Sequence, residues 1–142
     1  MDGSIYSTEE YKRSRHLCKM MNKEFDSDTY RHVETLKLLT DFGSIKESVC
    51  VIGDGKANMI APLLFSQKNI KIFSVNLTEV LINDYLILSK NKLIADDEIM
   101  VVQNEEDLLK SNKKLFLIDA SKMSFLKNKG INLFINIVSM QE

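Results

Sequence analysis

The chain has little of what marks the more specialised classes of protein. Its 142 residues include two cysteines, two histidines and one proline. Cys18 and Cys50, with His16 and His32, are too few and too scattered to give the paired ligand spacing of a structural zinc site. Cys50 lies inside an apolar run and Cys18 among helix-forming residues, so both are expected as buried, reduced thiols, which points to a cytoplasmic protein. Charge of one sign is also lacking: 19 Lys and Arg against 20 Asp and Glu leave a net charge of −1. That balance gives no field to steer the chain onto nucleic acid or an anionic membrane, so neither is expected as a partner. No window approaches the roughly 18 uninterrupted apolar residues of a membrane span. The opening MDGSIYSTEEYKRS has no basic stretch followed by an apolar one, as a secretory leader would. With five glycines and no low-complexity stretch, collagen-like and disordered chains are excluded as well.

What is present fits one folded domain: 44% of residues are hydrophobic and 27% charged. Ser7 and Glu10 read as a capping box for a first helix carrying Tyr11, Cys18, Met21 and Phe25. Asp26-Ser27-Asp28 offers new caps, and Tyr30, Val33, Leu36 and Leu39 form the stripe of a second helix that ends near Gly43. Residues 1–45 therefore read as a helical N-terminal segment, and residues 46–142 as a different kind of unit. That unit opens with Val49-Cys50-Val51-Ile52, an uninterrupted apolar run stopped by Gly53, as in a strand buried on both faces of a parallel sheet. A helix over Met59–Phe65 and a strand over Ile70–Val75, closed by Asn76, follow. Thr78 is placed to cap a helix that is apolar around much of its circumference, from Val80 to Leu88. Ile99–Val102 is a short strand-like run without an evident place. Leu115–Ile118, ending at Asp119, and Leu133–Val138, ending at Ser139, are two more buried strands. Alternation of strand and helix predicts an α/β fold, an open and mainly parallel sheet with right-handed crossovers and helices on both faces.

Two of the five glycines, Gly53 and Gly55, stand between the most apolar strand and a helix. Glycine there lets the backbone turn sharply and approach a ligand, while the following helix presents free N–H groups and a positive dipole end. Ligands of open parallel sheets bind past the carboxyl ends of the strands, so a nucleotide-containing cofactor is favoured over a plain turn. Asn76 ends the second strand 23 positions after Gly53, where such sheets usually carry a carboxylate against ribose hydroxyls. An amide can still accept one hydroxyl, without the strength a charge adds. It can equally close the strand by bonding local backbone.

Three segments carry a resemblance: Val49–Asn58, Val75–Leu81 and Asn132–Glu142, the last ending Asn-Ile-Val-Ser-Met-Gln-Glu. Together they resemble the bacterial sugar O-methyltransferase family, within the class I S-adenosylmethionine-dependent methyltransferases, over about residues 45–142. The resemblance implies a Rossmann-like fold and S-adenosylmethionine as cofactor. It places Gly53, Asp54 and Gly55 at the methionine portion, Asn76 at the ribose, and Leu77, Asp119 and Ala120 at the adenine. Ser139, Gln141 and Glu142 fall beside the transferable methyl, with Ser139 and Gln141 binding a sugar or glycan acceptor and Glu142 as the catalytic base.

The sequence departs from the family pattern at Asn58, which stands for a small residue or third glycine, at Asn76 for an acid, and at Asn132 for Asp. Pro62 falls within the helix after the loop and is tolerable there only in its first turn, as it would be with Asn58 as N-cap. The chain stops directly after the fourth expected core strand. It therefore reads as the cofactor-binding half of a methyltransferase, truncated, with an uncovered sheet surface favouring homo-oligomers. Two other functions fit some of these features: an NAD(P)-binding Rossmann domain, and a non-catalytic methyltransferase-like module used in assembly. His16 and His32, each in a charged helix, read as solvated surface histidines.

Overall fold

The computed structural model describes residues 4–136, and within them the chain forms five strands and four α-helices. The strands are β1 (Ser48–Ile52), β2 (Lys71–Asn76), β3 (Ile99–Val101), β4 (Leu115–Asp119) and β5 (Leu133–Asn136). All pair in parallel in the order β3-β4-β2-β1-β5. The four apolar runs read from sequence are thus adjacent, and Ile99–Val101, the run without an evident place, is the edge strand beside β4. The described residues form an α/β fold with a Rossmann-like parallel sheet.

The helices are α1 (Glu9–Met20), α2 (Ser27–Asp41), α3 (Ile60–Leu64) and α4 (Thr78–Lys90). The cap of α1 is Thr8, whose hydroxyl accepts from the Tyr11 amide, and not Ser7. Ser7 closes a short 3-10 turn instead, its hydroxyl donating to the Ser4 carbonyl. Asp26 caps α2: one carboxylate oxygen accepts the Thr29 amide and the Thr29 hydroxyl, both at 2.8 Å. That backbone amide bond, more than any other group, holds the Asp26 carboxyl down at about 2. Thr78 does not cap α4 either. Leu77 occupies the cap position without a side-chain bond, and the Thr78 hydroxyl donates to Asp119.

Strand order and crossover handedness together decide which face each connection covers. From β1 to β2 and on to β3 the chain moves toward one edge; from β3 to β4 and on to β5 it moves back. Right-handed crossovers then place α3 and α4 on one face and the 3-10 segments Glu105–Leu109 and Ala120–Leu126 on the other. Two separate apolar clusters correspond to these faces. In the larger, Leu17, Leu36, Leu63, Leu81 and Leu88 from α1 to α4 pack on Val49, Val51, Ile72, Leu115, Leu117 and Ile135. In the smaller, Leu108 and Leu126 of the 3-10 segments pack with Cys50, Phe73, Val75, Phe116 and Ile118. The sheet is flanked by helices as expected, the second face being covered by these short 3-10 helices where the first carries α-helices. Phe73 and Phe116, partners in register, stack there at 4.9 Å, while Phe134 at the β5 edge is 52% exposed.

Helix α4 is less buried than its composition implies. Leu81, Asp84 and Leu88 face inward, but Ile82 and Leu86 are 53% and 56% exposed. Cys18 and Cys50 are free and buried, as expected, and burial raises the thiol of Cys18 and pushes that of Cys50 up to about 12.

Leu17 and Leu36 share the sheet's main core, so the N-terminal helices and the sheet are built around one apolar body. Leu36→Ala is expected to lower the unfolding free energy of the whole chain by about 2–4 kcal/mol. Urea unfolding followed by helix and by near-ultraviolet signals should show one shifted transition; loss of α2 alone, with the sheet unchanged, would contradict this.

Candidate functional site

The carboxyl ends of β1, β2 and β4 form one continuous rim. Ile52 pairs with Val75, and Asn76 with Asp119, so the turns after these three strands lie side by side. Gly53, Gly55, Asn76, Leu77, Asp119 and Ala120 are brought together on this rim. Ser139, Gln141 and Glu142 lie outside the described residues.

In the loop after β1, Gly53 and Gly55 adopt φ of 82° and 97°, values that favour glycine. The Gly53 amide extends the ladder by donating to the Val75 carbonyl at 3.0 Å. A Cβ on Gly55 would come within 3.1 Å of Val80 Cγ1, so a side chain there would be strained by the backbone and would crowd α4 whether or not a ligand binds. Asp54 turns inward and is 8% exposed. One of its oxygens accepts the Asn58 amide and the other accepts those of Met59 and Ile60, each at 2.8 Å. Helix α3 is only five residues long, and these bonds take the amides of the two residues before it and of its first residue, Ile60. The free N–H groups expected there are thus occupied by the protein's own carboxylate. Met59, rather than Asn58, occupies the cap position without a side-chain bond, and Pro62 as the third helical residue has no intrahelical bond to lose.

Asn58 serves a different end. It is 4% exposed and ties the loop to the N-terminal helices. Its side-chain oxygen accepts from the Lys23 ammonium and its side-chain nitrogen donates to Asp28 at 3.3 Å. Lys23 also donates to the Lys56 carbonyl at 2.7 Å, and burial pushes its ammonium below the usual lysine range. A glycine at position 58 would make none of these side-chain bonds. On the opposite side α4 holds the same loop: Asn83 donates to the Gly55 carbonyl at 2.7 Å, and Asp84 accepts the Ala57 amide at 2.9 Å.

At the end of β2, the Asn76 side-chain oxygen accepts the Leu77 amide at 2.9 Å, the local closure that competes with ribose binding. Leu77 beside it is 56% exposed. Asp119 accepts from the Thr78 hydroxyl at 2.5 Å and from the Ser121 hydroxyl and amide at 2.6 and 3.0 Å. These bonds, the Ser121 hydroxyl first, hold its carboxyl at about 2, so it is an anion at neutral pH. Past the rim, a groove of about 460 Å³ opens between α4 and the ends of β3 and β4, lined by Leu81, Tyr85, Val101, Gln103, Leu117 and Asp119.

What this rim presents to a ligand is the left-handed glycine backbone, the exposed apolar Leu77 and the anionic Asp119; the oxygens of Asp54 and Asn76 already have internal partners.

Three residues at this site were not singled out by pattern. Asp84 is fully buried beneath the loop, and one of its oxygens has no hydrogen-bond partner. Burial, then the nearby Asp54 carboxylate, raises its carboxyl to about 7. Lys23 is the second. His32 is the third: it is 6% exposed, which corrects the expectation of a solvated side chain, whereas His16 is exposed as expected. The signal for both buried groups lay in periodicity. Asp84 falls in the stripe Leu81, Asp84, Leu88, and His32 in Thr29, His32, Val33, Leu36.

Compared with family models, curated proteins and solved structures, the chain matches none.

The raised Asp84 carboxyl has a definite sign in the pH dependence of stability. The folded state keeps its proton up to about pH 7, whereas the ordinary value is 3.8, so its contribution is full below about pH 4 and is lost as pH rises to 7. The loss expected across that window is on the order of 3–4 kcal/mol. Asp84→Asn, which keeps the acceptor for the Ala57 amide, should flatten the slope. Urea unfolding of both proteins at pH 4.5 and 7.5 checks this, and an unchanged slope in the variant would contradict it.

Proposed function

We propose that the protein transfers a methyl group from S-adenosylmethionine to a sugar hydroxyl, with the cofactor along the rim of β1, β2 and β4. The observation that carries this reading is the contiguity of Gly53–Gly55, Asn76–Leu77 and Asp119–Ala120, three turns distant in sequence, at adjacent carboxyl ends of one parallel sheet. When bound, the cofactor supplies a methyl carbon made electrophilic by its sulfonium. The chain's own part is to hold the methionine end against the Gly53–Gly55 backbone and to pack Leu77 on the flat base. Alignment of the acceptor oxygen with the methyl is the main source of rate in such a displacement, since it replaces a bimolecular encounter with a positioned one. Asp119, fixed by Thr78 and Ser121, keeps negative charge at the base end.

Titration calorimetry with S-adenosylmethionine, S-adenosylhomocysteine and NAD tests the reading. The first two are expected to bind and NAD not to; binding of NAD alone would support the dinucleotide function, and no binding would support the assembly module. Gly55 is a poor probe because a side chain there would strain the backbone and crowd Val80 of α4 even without a ligand. Leu77→Asp, at an exposed position, should weaken S-adenosylmethionine at least about tenfold through lost apolar contact with the base. Asn76→Asp should leave binding intact or tighten it by about 1 kcal/mol.

A further inference from the structure

The groove between α4 and the ends of β3 and β4 shares one residue with the rim. Asp119 lines both, whereas Gly53, Gly55, Asn76, Leu77 and Ala120 lie outside the groove. Its space of about 460 Å³ falls in the range of small-molecule sites, which are mostly apolar with a few placed polar groups. The body is apolar: Leu81 and Leu117 are buried at its base, and Val101 of the edge strand, 55% exposed, forms a wall open to water. Tyr85 contributes its ring, since its hydroxyl is turned to Asp96 at 3.5 Å. The polar end holds one carboxylate and one ammonium, and they are not paired with each other. Asp119 accepts from neutral donors, the hydroxyls of Thr78 and Ser121 and the Ser121 amide, and among the described residues no cation stands within ion-pair distance of it. The Lys122 ammonium lies instead 3.5 Å from the Val102 carbonyl and 3.4 Å from the Gln103 side-chain oxygen. The N-terminal end of α4 offsets at most about half a unit of the carboxylate's charge. A negative charge without a cationic partner therefore stands at the mouth of an apolar groove.

We propose that this groove is a separate binding site for a small amphipathic amine, its apolar ring laid between α4 and β3 and its ammonium against Asp119. The ammonium gives the carboxylate the cationic partner it lacks, and the ring covers Val101 and Tyr85 from water. A neutral ligand of the same shape leaves the charge unpaired while displacing water from it, and an anionic one is repelled. The site is independent of methyl transfer, since the groove does not include the glycine loop.

Tryptamine, tryptophol and indole-3-propionate carry one bicyclic ring with a cationic, a neutral and an anionic head, so their relative affinities isolate the head. Titrated into the full chain at neutral pH and followed by two-dimensional NMR, tryptamine should bind at least about threefold more tightly than tryptophol, with indole-3-propionate weakest. The resonances that move should be those of Tyr85, Val101 and Leu117, with Gly53 and Gly55 unmoved. Asp119→Asn should bring tryptamine and tryptophol to equal affinity. Should that variant prove unstable by thermal melting, Val101→Lys, at an exposed position, is the second: it sets a cation in the groove and should weaken tryptamine at least about threefold. Equal affinities for the three probes, no binding of any of them, shifts centred on Gly53 and Gly55, or tryptamine binding unchanged in either variant would overturn the proposal. S-adenosylmethionine failing to bind while tryptamine occupies the groove overturns the methyl-transfer reading alone.

Discussion

The arrangement of the site depends on one buried carboxylate. Asp54 follows directly on β1 and accepts three backbone amides at the entrance to α3. A carboxylate taken out of water is costly unless its oxygens are satisfied, and three charge-assisted bonds at 2.8 Å meet that demand. The consequence is geometric. With Asp54 turned inward, the chain must reverse within a few residues, and the left-handed φ values of Gly53, Gly55 and Ala57 are the backbone states that permit it. Ala57 pays no close-contact cost for its conformation that its bond to Asp84 does not help offset. Everything the N-terminal helices and α4 do to the loop is done to a turn whose shape this carboxylate has set.

Two elements then clamp that turn from opposite sides. The α1–α2 connection reaches it through Lys23 and Asn58, and α4 through Asn83 and Asp84. These contacts explain why a chain that reads as two segments is built as one body. They also explain the groups displaced from ordinary titration: Lys23 and Asp84 are held in low-dielectric surroundings because they join secondary elements, not because they lie in an open cleft. Perturbed groups often mark functional sites, but structural networks perturb them too, and Asp84 belongs to the second kind.

Much of the architecture was legible because parallel strands buried on both faces leave little latitude in composition. Val49–Ile52 and Leu115–Ile118 could hardly be anything else. The edge strand Ile99–Val101 could not be placed from sequence, since three residues pair wherever the crossover delivers them, and the 3-10 segments on the second face have too little periodicity to register as layers. Cap identity failed at Ser7 and Thr78 for a shared reason: a hydroxyl flanking a helix has several acceptors within reach, and Ser4 and Asp119 took these two. Asn58 stood out only as a departure from a motif, because a motif records residue types and spacing, whereas its partners, Lys23 and Asp28, lie 35 and 30 positions away.

The same network narrows what the rim can offer a ligand. With the side chains of Asp54, Asn58 and Asn76 committed internally, recognition on the β1 and β2 turns falls to glycine backbone and the exposed Leu77. A fixed negative charge enters at Asp119, beyond β4. A ligand suited to this distribution has an apolar, flat portion and a polar end that meets Asp119. In a chain whose glycine loop is already fixed by its own contacts, binding costs little ordering of the protein, so discrimination must arise where the loop's partners stop, at the Asp119 end.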